Sequence, residues 1–310
     1  MIISASRRTD IPAFYTPWFL NRLKAGFVLI RNPFNRRVTR VSLLPEDVDA
    51  FVFWTRNASM LMKNLGALRE YKYYFQYTIT GYPKTIEKNV KSPYKTIENF
   101  IELSELIGKE KVIWRYDPIL ISNTLTLNEH KRLFTKIADS LAGKTNKVVI
   151  SFADFYKKTI KNLSLIENFQ YVDILNEETT MNELVKFMVN IANDRGMVIE
   201  TCAESIDLSY LGVQHGKCID DKLLKSVFNI DISSKKDAGQ REACGCVKSI
   251  DIGEYNTCLH NCTYCYATYN LDSVKKNKSR HFSDSPFLIG DAEGIDPKLL
   301  IPPIKQGNLF

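Results

Sequence analysis

Residues 126–152 read TLNEHKRLFTKIADSLAGKTNKVVISF. The first part, 126–141, spaces Leu133, Phe134, Ile137 and Leu141 at three- and four-residue intervals, which is one face of a half-buried helix. Thr126 and Glu129 give it the T-x-x-E form of a capping box. The second part, 147–152, is a short apolar run rich in β-branched residues and reads as a buried strand. A capped amphipathic helix feeding such a strand is the repeating unit of a parallel sheet or barrel.

The same alternation runs through the first two-thirds of the chain. Strands are expected at 2–6, 50–55, 73–80, 112–116, 147–152 and 197–202. Helices are expected at 17–24, 93–108, 126–141 and 180–195. The last of these opens on a second T-x-x-E pattern at Thr180 and turns Leu184, Phe187, Met188, Ile191 and Ala192 inward. Residues 27–41 read as a hairpin inserted after the first unit. The pattern implies an α/β fold, a partial or full TIM-like parallel β/α barrel over residues 1–204. Beyond Cys202, cysteines, glycines and charges replace apolar periodicity. Residues 205–310 therefore read as a cysteine-rich appendage packed on the barrel and held by what its cysteines bind.

At 310 residues and 45% apolar the chain can fill a sizeable core. No run of 18 apolar residues occurs and the N-terminus lacks the form of a signal peptide, so the expectation is a cytoplasmic protein without a membrane span. In a reducing compartment, clustered cysteines serve metals or redox chemistry more often than structural disulfides, and an odd total of seven cannot pair completely. The net charge of +7 suits an anionic ligand or nucleic acid without identifying one.

In parallel α/β proteins the reactive side chains gather where strands run out into loops. The residues placed there are Arg7, Arg8 and Asp10 after the first strand, Thr55 and Arg56 after the second, and Arg115 and Asp117 after the fourth. Ser151 and Asp154 follow the fifth, and Glu200 and Glu204 the sixth. Guanidinium forks bind carboxylates and phosphates, and carboxylates bind ammonium or hydroxyl groups. The set reads as the rim of a site.

The cysteines divide as three and four. Cys258, Cys262 and Cys265 lie in TCLHNCTYCY in a C-x3-C-x2-C spacing. Three thiolates leave one iron of a 4Fe-4S cluster open, whereas a structural zinc site needs four ligands, the fourth within reach being His260. Cys202, Cys218, Cys244 and Cys246 form a complete four-thiolate set for a second cluster or a zinc ion.

The triplet, with Tyr264 directly before its last cysteine, resembles the cluster loop of radical S-adenosylmethionine enzymes. YNTCLHNCTYCYATYN is similar to the form found in spore photoproduct lyase and its relatives, as are VIWRYDPIL at 112–120 and FWTRN at 53–57. From SRRTDIPAFY through FWTRN and WRYDPIL to the terminal cysteines, the chain resembles the DUF1848 proteins over nearly its full length. The resemblance implies that Cys258, Cys262 and Cys265 hold a 4Fe-4S cluster whose open iron takes S-adenosylmethionine, and that reduction yields a 5′-deoxyadenosyl radical. It implies a cofactor-binding role for Tyr264 and an electron donor such as flavodoxin or ferredoxin; on the rim, Thr55 and Arg56 are expected to bind the cofactor, and Arg7, Arg8, Asp10, Arg115 and Asp117 to position substrate or act in catalysis. The motif departs from that pattern in following the last strand instead of the first, and no Gly-Gly-Glu segment is present. Two other readings stay open: a nucleic-acid-binding protein whose cysteines hold zinc or a cluster, and an iron-sulfur electron carrier. The basic run 275–280 (KKNKSR) supports the first of these, and the tail QGNLF, with Gln306, Leu309 and Phe310, is similar to peptides that dock sliding clamps.

Overall fold

The computed structural model describes residues 1–303. Eight parallel strands form its central sheet: β1 (Ile2–Ala5), β2 (Ala50–Thr55), β3 (Tyr73–Thr78), β4 (Val112–Ile119), β5 (Lys147–Phe152), β6 (Val198–Thr201), β7 (Gln214–His215) and β8 (Ile250–Asp251). Their order is β7-β6-β5-β4-β3-β2-β1-β8. The helices are α1 (Ile11–Phe14), α2 (Thr16–Ala25), α3 (Ser59–Met62), α4 (Pro93–Ile107), α5 (Leu127–Leu141), α6 (Lys157–Leu163), α7 (Glu178–Asp194), α8 (Asp221–Phe228) and α9 (Leu271–Lys278). None of the described helices is long and apolar enough to cross a membrane.

The six expected strands are all present, and residues 27–41 are the antiparallel hairpin Phe27–Arg31 with Val38–Ser42. The strand expected to stop at 116 continues to Ile119, and its ladder with β5 shifts between Tyr116 and Ile119. Pro118 has no N–H to give that ladder. The irregularity sets Asp117 apart from its neighbours, as bulges near sites do.

Alternate residues of each strand serve two cores. One face, with Ile3, Phe51, Phe53, Phe75, Trp114 and Ile150, packs against the helices. The other, with Ile2, Val52, Tyr74, Ile113 and Val149, is covered by Cys218, Ile219, Leu224, Cys244, Cys246 and Val247. A parallel sheet buried on both sides needs this second cover, and here residues after 204 supply it. They also supply both edge strands, β7 and β8. The C-terminal region is thus woven into the sheet at its edges and on its second face.

Helix details follow local chemistry. Thr126 caps α5 by accepting from Glu129 N at 3.3 Å, but the Glu129 carboxylate turns to Arg132 at 2.6 and 2.8 Å, so only half of that box forms. The box expected at Thr180 does not form. A short turn, Ile174–Asn176, capped by Asp173, leads into α7 at Glu178, and Glu183 pairs with Lys131 at 2.5 Å instead. The buried face of α7 is Met181, Leu184, Val185, Met188, Val189 and Ala192, with Phe187 and Ile191 half-buried at its margin.

Candidate metal centres

The strand ends build the first centre. Asp10 caps α1 and is buried, and its carboxylate accepts four hydrogen bonds. Oδ1 takes Ala13 N at 2.9 Å and Thr55 Oγ1 at 2.8 Å; Oδ2 takes Arg56 N at 2.8 Å and His260 Nε2 at 2.7 Å. One side chain thereby ties the loop after β1, the end of β2 and the cysteine loop together. Asp10, expected to act in catalysis, thus has both carboxylate oxygens engaged in holding these loops together. Thr55 likewise spends its hydroxyl on Asp10 and accepts from Asn57 N at 2.9 Å, so it positions its neighbours. His260 commits Nε2 to Asp10, while its buried Nδ1 has no hydrogen-bond partner among the described residues.

The loop after β3 clamps the cysteines from the other side. The backbones of Glu87 and Cys262 pair in an isolated antiparallel β-bridge, Thr263 N donates to Ile86 O at 2.9 Å, and Asn89 N donates to His260 O at 3.0 Å. The buried Glu87 carboxylate meets Arg56 Nη1 at 2.9 Å and Thr80 Oγ1 at 2.6 Å, and it accepts a short hydrogen bond from Tyr264, which also pairs with Arg56. Burial works against the Arg56 charge, but Glu87, Tyr264, Cys262 and Cys258 outweigh it and hold the guanidinium protonated. Glu87 was not visible as a site residue in the sequence. Its only signal was its place in a loop following a strand of a parallel sheet.

Cys258, Cys262 and Cys265 lie together, each thiol within electrostatic reach of the other two. Burial raises Cys258 well above the ordinary thiol range and Cys262 to about 12, the latter against the pull of Arg56. Buried thiols of this kind keep their protons until a cation compensates them.

The second centre gathers Cys202 from the end of β6, Cys218 after β7, and Cys244 and Cys246 ahead of β8. Cys202 and Cys218 have their sulfurs 2.7 Å apart, and Ile219 N donates to Cys246 Sγ at 3.4 Å. Arg115 Nη1 reaches Cys218 Sγ at 2.9 Å, and its Nε and Nη2 hold Asp117 Oδ2 at 3.0 and 2.6 Å. Asp117 also accepts a short hydrogen bond from Ser151. Arg7 stacks 5.4 Å from the Trp54 ring and lies within electrostatic reach of Cys246, Cys218 and Cys244. Contact with Cys246 lowers Cys244 to about 7. A cleft of about 620 Å3 opens beside this set, lined by Thr201, Glu204, His215, Lys236, Glu242 and Cys244. Burial raises the Glu204 carboxyl to about 7.

The two centres meet at Arg7 and β8. Arg7 N donates to Asp251 Oδ2 at 2.9 Å, and Arg7 O accepts from Tyr266 OH at 2.6 Å, next to Cys265. Arg8 turns away, donating to Gly253 O at 3.4 Å and lying 5.1 Å from the Tyr255 ring. Among the described residues, no three His, Cys, Asp or Glu side chains are arranged to hold a single metal ion. Lys275, Lys276 and Lys278 lie on α9, and Gln306, Leu309 and Phe310 fall outside the described residues. No curated protein and no solved structure matches the chain. The family model described as a domain of unknown function, DUF1848, matches residues 2–267, and the chain belongs to that family.

Proposed function

We propose that this protein is a radical S-adenosylmethionine-type iron-sulfur enzyme. The observation that carries the reading is the meeting of Cys258, Cys262 and Cys265 at the C-terminal rim of a parallel sheet, against buried Arg56 and the loops after β1, β2 and β3. The donor set fits a cluster. Three thiols in mutual electrostatic range can ligate separate irons of a cubane without converging on one point. Cys258, Cys262 and Cys265 would hold such a cluster, which, once reduced by an external one-electron donor and supplied with S-adenosylmethionine, would provide radical hydrogen-abstraction chemistry.

The chain's own groups would do the rest. Arg56, fixed by Glu87 and Tyr264, places a permanent positive charge beside the thiolates. Asp10 orients the loop through His260. Arg115 and Asp117 face the second set, where Cys202, Cys218, Cys244 and Cys246 would hold a second cluster with Arg115 and Arg7 offsetting the thiolate charge. We also read the sheet as a β/α barrel opened between β7 and β8, since strand order follows chain order from β1 to β7 and β8 returns beside β1.

Anaerobic reconstitution with iron and sulfide tests this. Roughly eight irons should bind, about four remaining in Cys262→Ala. The electron paramagnetic resonance signal of the reduced protein should change with S-adenosylmethionine, and dithionite should release 5′-deoxyadenosine from the wild type only. Stoichiometric zinc, or a signal indifferent to S-adenosylmethionine, would replace the reading with a structural or electron-carrying metal protein.

A further inference from the structure

Four arginines converge beside the cysteine loop in a place neither thiol set uses. Glu254, half-buried four residues before Cys258, has Arg31 Nη1 3.9 Å away and lies within electrostatic reach of Arg8, Arg36 and Arg280. Arg31 is built in. It donates to Ile289 O at 2.8 Å and Asp291 O at 3.3 Å and stacks 3.4 Å from the Phe287 ring. Arg280 stands next to it over Gly290. The position a Cβ would take on that glycine is 3.5 Å from Arg280 Nη2 and 3.8 Å from Arg31 Nη2. Arg36, at the tip of the hairpin, lies within electrostatic reach of Arg31.

These guanidinium groups are underused. Among the described residues, the side chains of Arg36 and Arg280 have no hydrogen bond or ion pair, and Arg8 has one long hydrogen bond. Four guanidinium groups against Glu254 and Asp291 leave two positive charges in excess. Like charges brought together repel one another, most strongly at the half-buried Arg8 and Arg31, and an anion that joins the four relieves that repulsion. A phosphate monoester carries nearly two negative charges and three acceptor oxygens, which planar guanidinium forks match in geometry as well as charge.

We propose that Arg8, Arg31, Arg36 and Arg280 bind the phosphate of a phosphate monoester ligand next to the cysteine loop. Arg8 follows β1 and Glu254 lies four residues before Cys258, so the anion site adjoins the start of the cysteine loop. Naming that molecule the substrate rests on the radical-enzyme reading, whereas the anion site itself does not.

The test is calorimetric titration of the full-length protein, at matched ionic strength, with inorganic phosphate, adenosine 5′-monophosphate, acetate and a thymidine octamer lacking terminal phosphates. Phosphate and the monophosphate should bind, with acetate and the octamer at least about tenfold weaker. Arg36→Gln/Arg280→Gln, which removes two exposed heads without structural partners, should weaken phosphate about 100-fold, the effect of losing two charge-assisted contacts. Arg69→Gln, an exposed charge elsewhere, should leave it unchanged. Cys262→Ala should still bind phosphate, which separates this site from the cluster reading. Phosphate affinity in the double variant within about threefold of wild type overturns the proposal, as does acetate binding equal to phosphate. Tighter binding of the octamer than of the monophosphate also overturns it, in favour of a nucleic-acid strand.

Discussion

Asp10→Asn separates a scaffold role from a catalytic one. The carboxylate accepts two donors on each oxygen: Ala13 N and Thr55 Oγ1 on one, Arg56 N and His260 Nε2 on the other. An amide has one accepting oxygen. Whichever way the new side chain turns, its NH2 faces two donors, two hydrogen bonds to a charged acceptor are lost, and the charge itself is gone. Hydrogen bonds to ionised groups are worth about 1.5–3 kcal/mol each, which puts the cost of losing two at about 3–6 kcal/mol. In a chain of this size that lowers the thermal midpoint by roughly 10 °C. Because the His260 contact ties down the cysteine loop, Cys258, Cys262 and Cys265 should also react faster with a thiol reagent in the folded, metal-free variant. Differential scanning fluorimetry and timed alkylation with mass mapping read both effects. A variant as stable as wild type, with unchanged thiol reactivity but no turnover, would refute the scaffold account and return Asp10 to the chemistry.

Four other outcomes follow from the same geometry. Arg56→Met leaves Glu87 buried without its cation and should cost about 3–5 kcal/mol in urea unfolding, while the double variant Arg56→Met/Glu87→Gln should recover part of that loss. His130 is buried with Nδ1 on Tyr116 OH at 2.9 Å and Nε2 on Leu120 O at 3.1 Å, and burial lowers it from 6.5 to about 4. The unfolded chain therefore binds the extra proton first, so about 3 kcal/mol of stability should disappear as pH falls from 6.5 to about 4, and His130→Asn should flatten that slope. A Cβ on Gly253 would stand 2.1 Å from Ser6 Oγ, which holds Asp251 Oδ1 at 2.7 Å, so Gly253→Ala should destabilise the β1–β8 edge by about 1–3 kcal/mol in the same assay. If a cluster joins Cys202, Cys218, Cys244 and Cys246, stripping it with a chelator should expose residues 217–247 to limited proteolysis, whereas protection unchanged by stripping would count against a metal there.

The elements with long apolar periods were legible in the sequence: all six expected strands and the hairpin are where the alternation put them. What escaped was short or non-periodic. A two-residue strand such as β7 or β8 has no period to detect, and its pairing is decided by the sheet edge it meets. The second T-x-x-E pattern misled because Asp173 and the turn before α7 set the helix start upstream of Thr180. Around the candidate centres, spacing grouped the cysteines as three and four, and the strand-end rule put Arg56, Arg115 and Asp117 at the ends of their strands. Neither could show that Asp10 is saturated or that Glu87 completes the Arg56 pair, since both facts depend on a contact across the chain. The same holds for Arg31, Arg36 and Arg280, which only the fold brings to Glu254.

The two-residue strand β8 also explains how a motif near the end of the chain reaches the rim built at its beginning. Ile250 and Asp251 pair in parallel with Ile3 and Ser4 of β1, and Asp251 is fastened there by Ser4 Oγ at 2.7 Å, Ser6 Oγ at 2.7 Å and Arg7 N at 2.9 Å. Parallel pairing obliges the chain leaving β8 to emerge at the same end of the sheet as the chain leaving β1. The chain then runs from Ile252 to Cys265 over Asp10, Arg56 and Glu87, held by Tyr15 OH on Thr257 O at 2.6 Å and by Asn89 on His260 and Leu259. A loop after the first strand and a loop after its neighbour occupy adjoining ground, so the late position of the cysteines changes their order in the chain without moving them from the strand ends. On this account Asp251→Ala should loosen the cysteine loop as Asp10→Asn does, from the opposite side. Wild-type alkylation rates at Cys258, Cys262 and Cys265 in that variant would show that β8 does not set the loop's position.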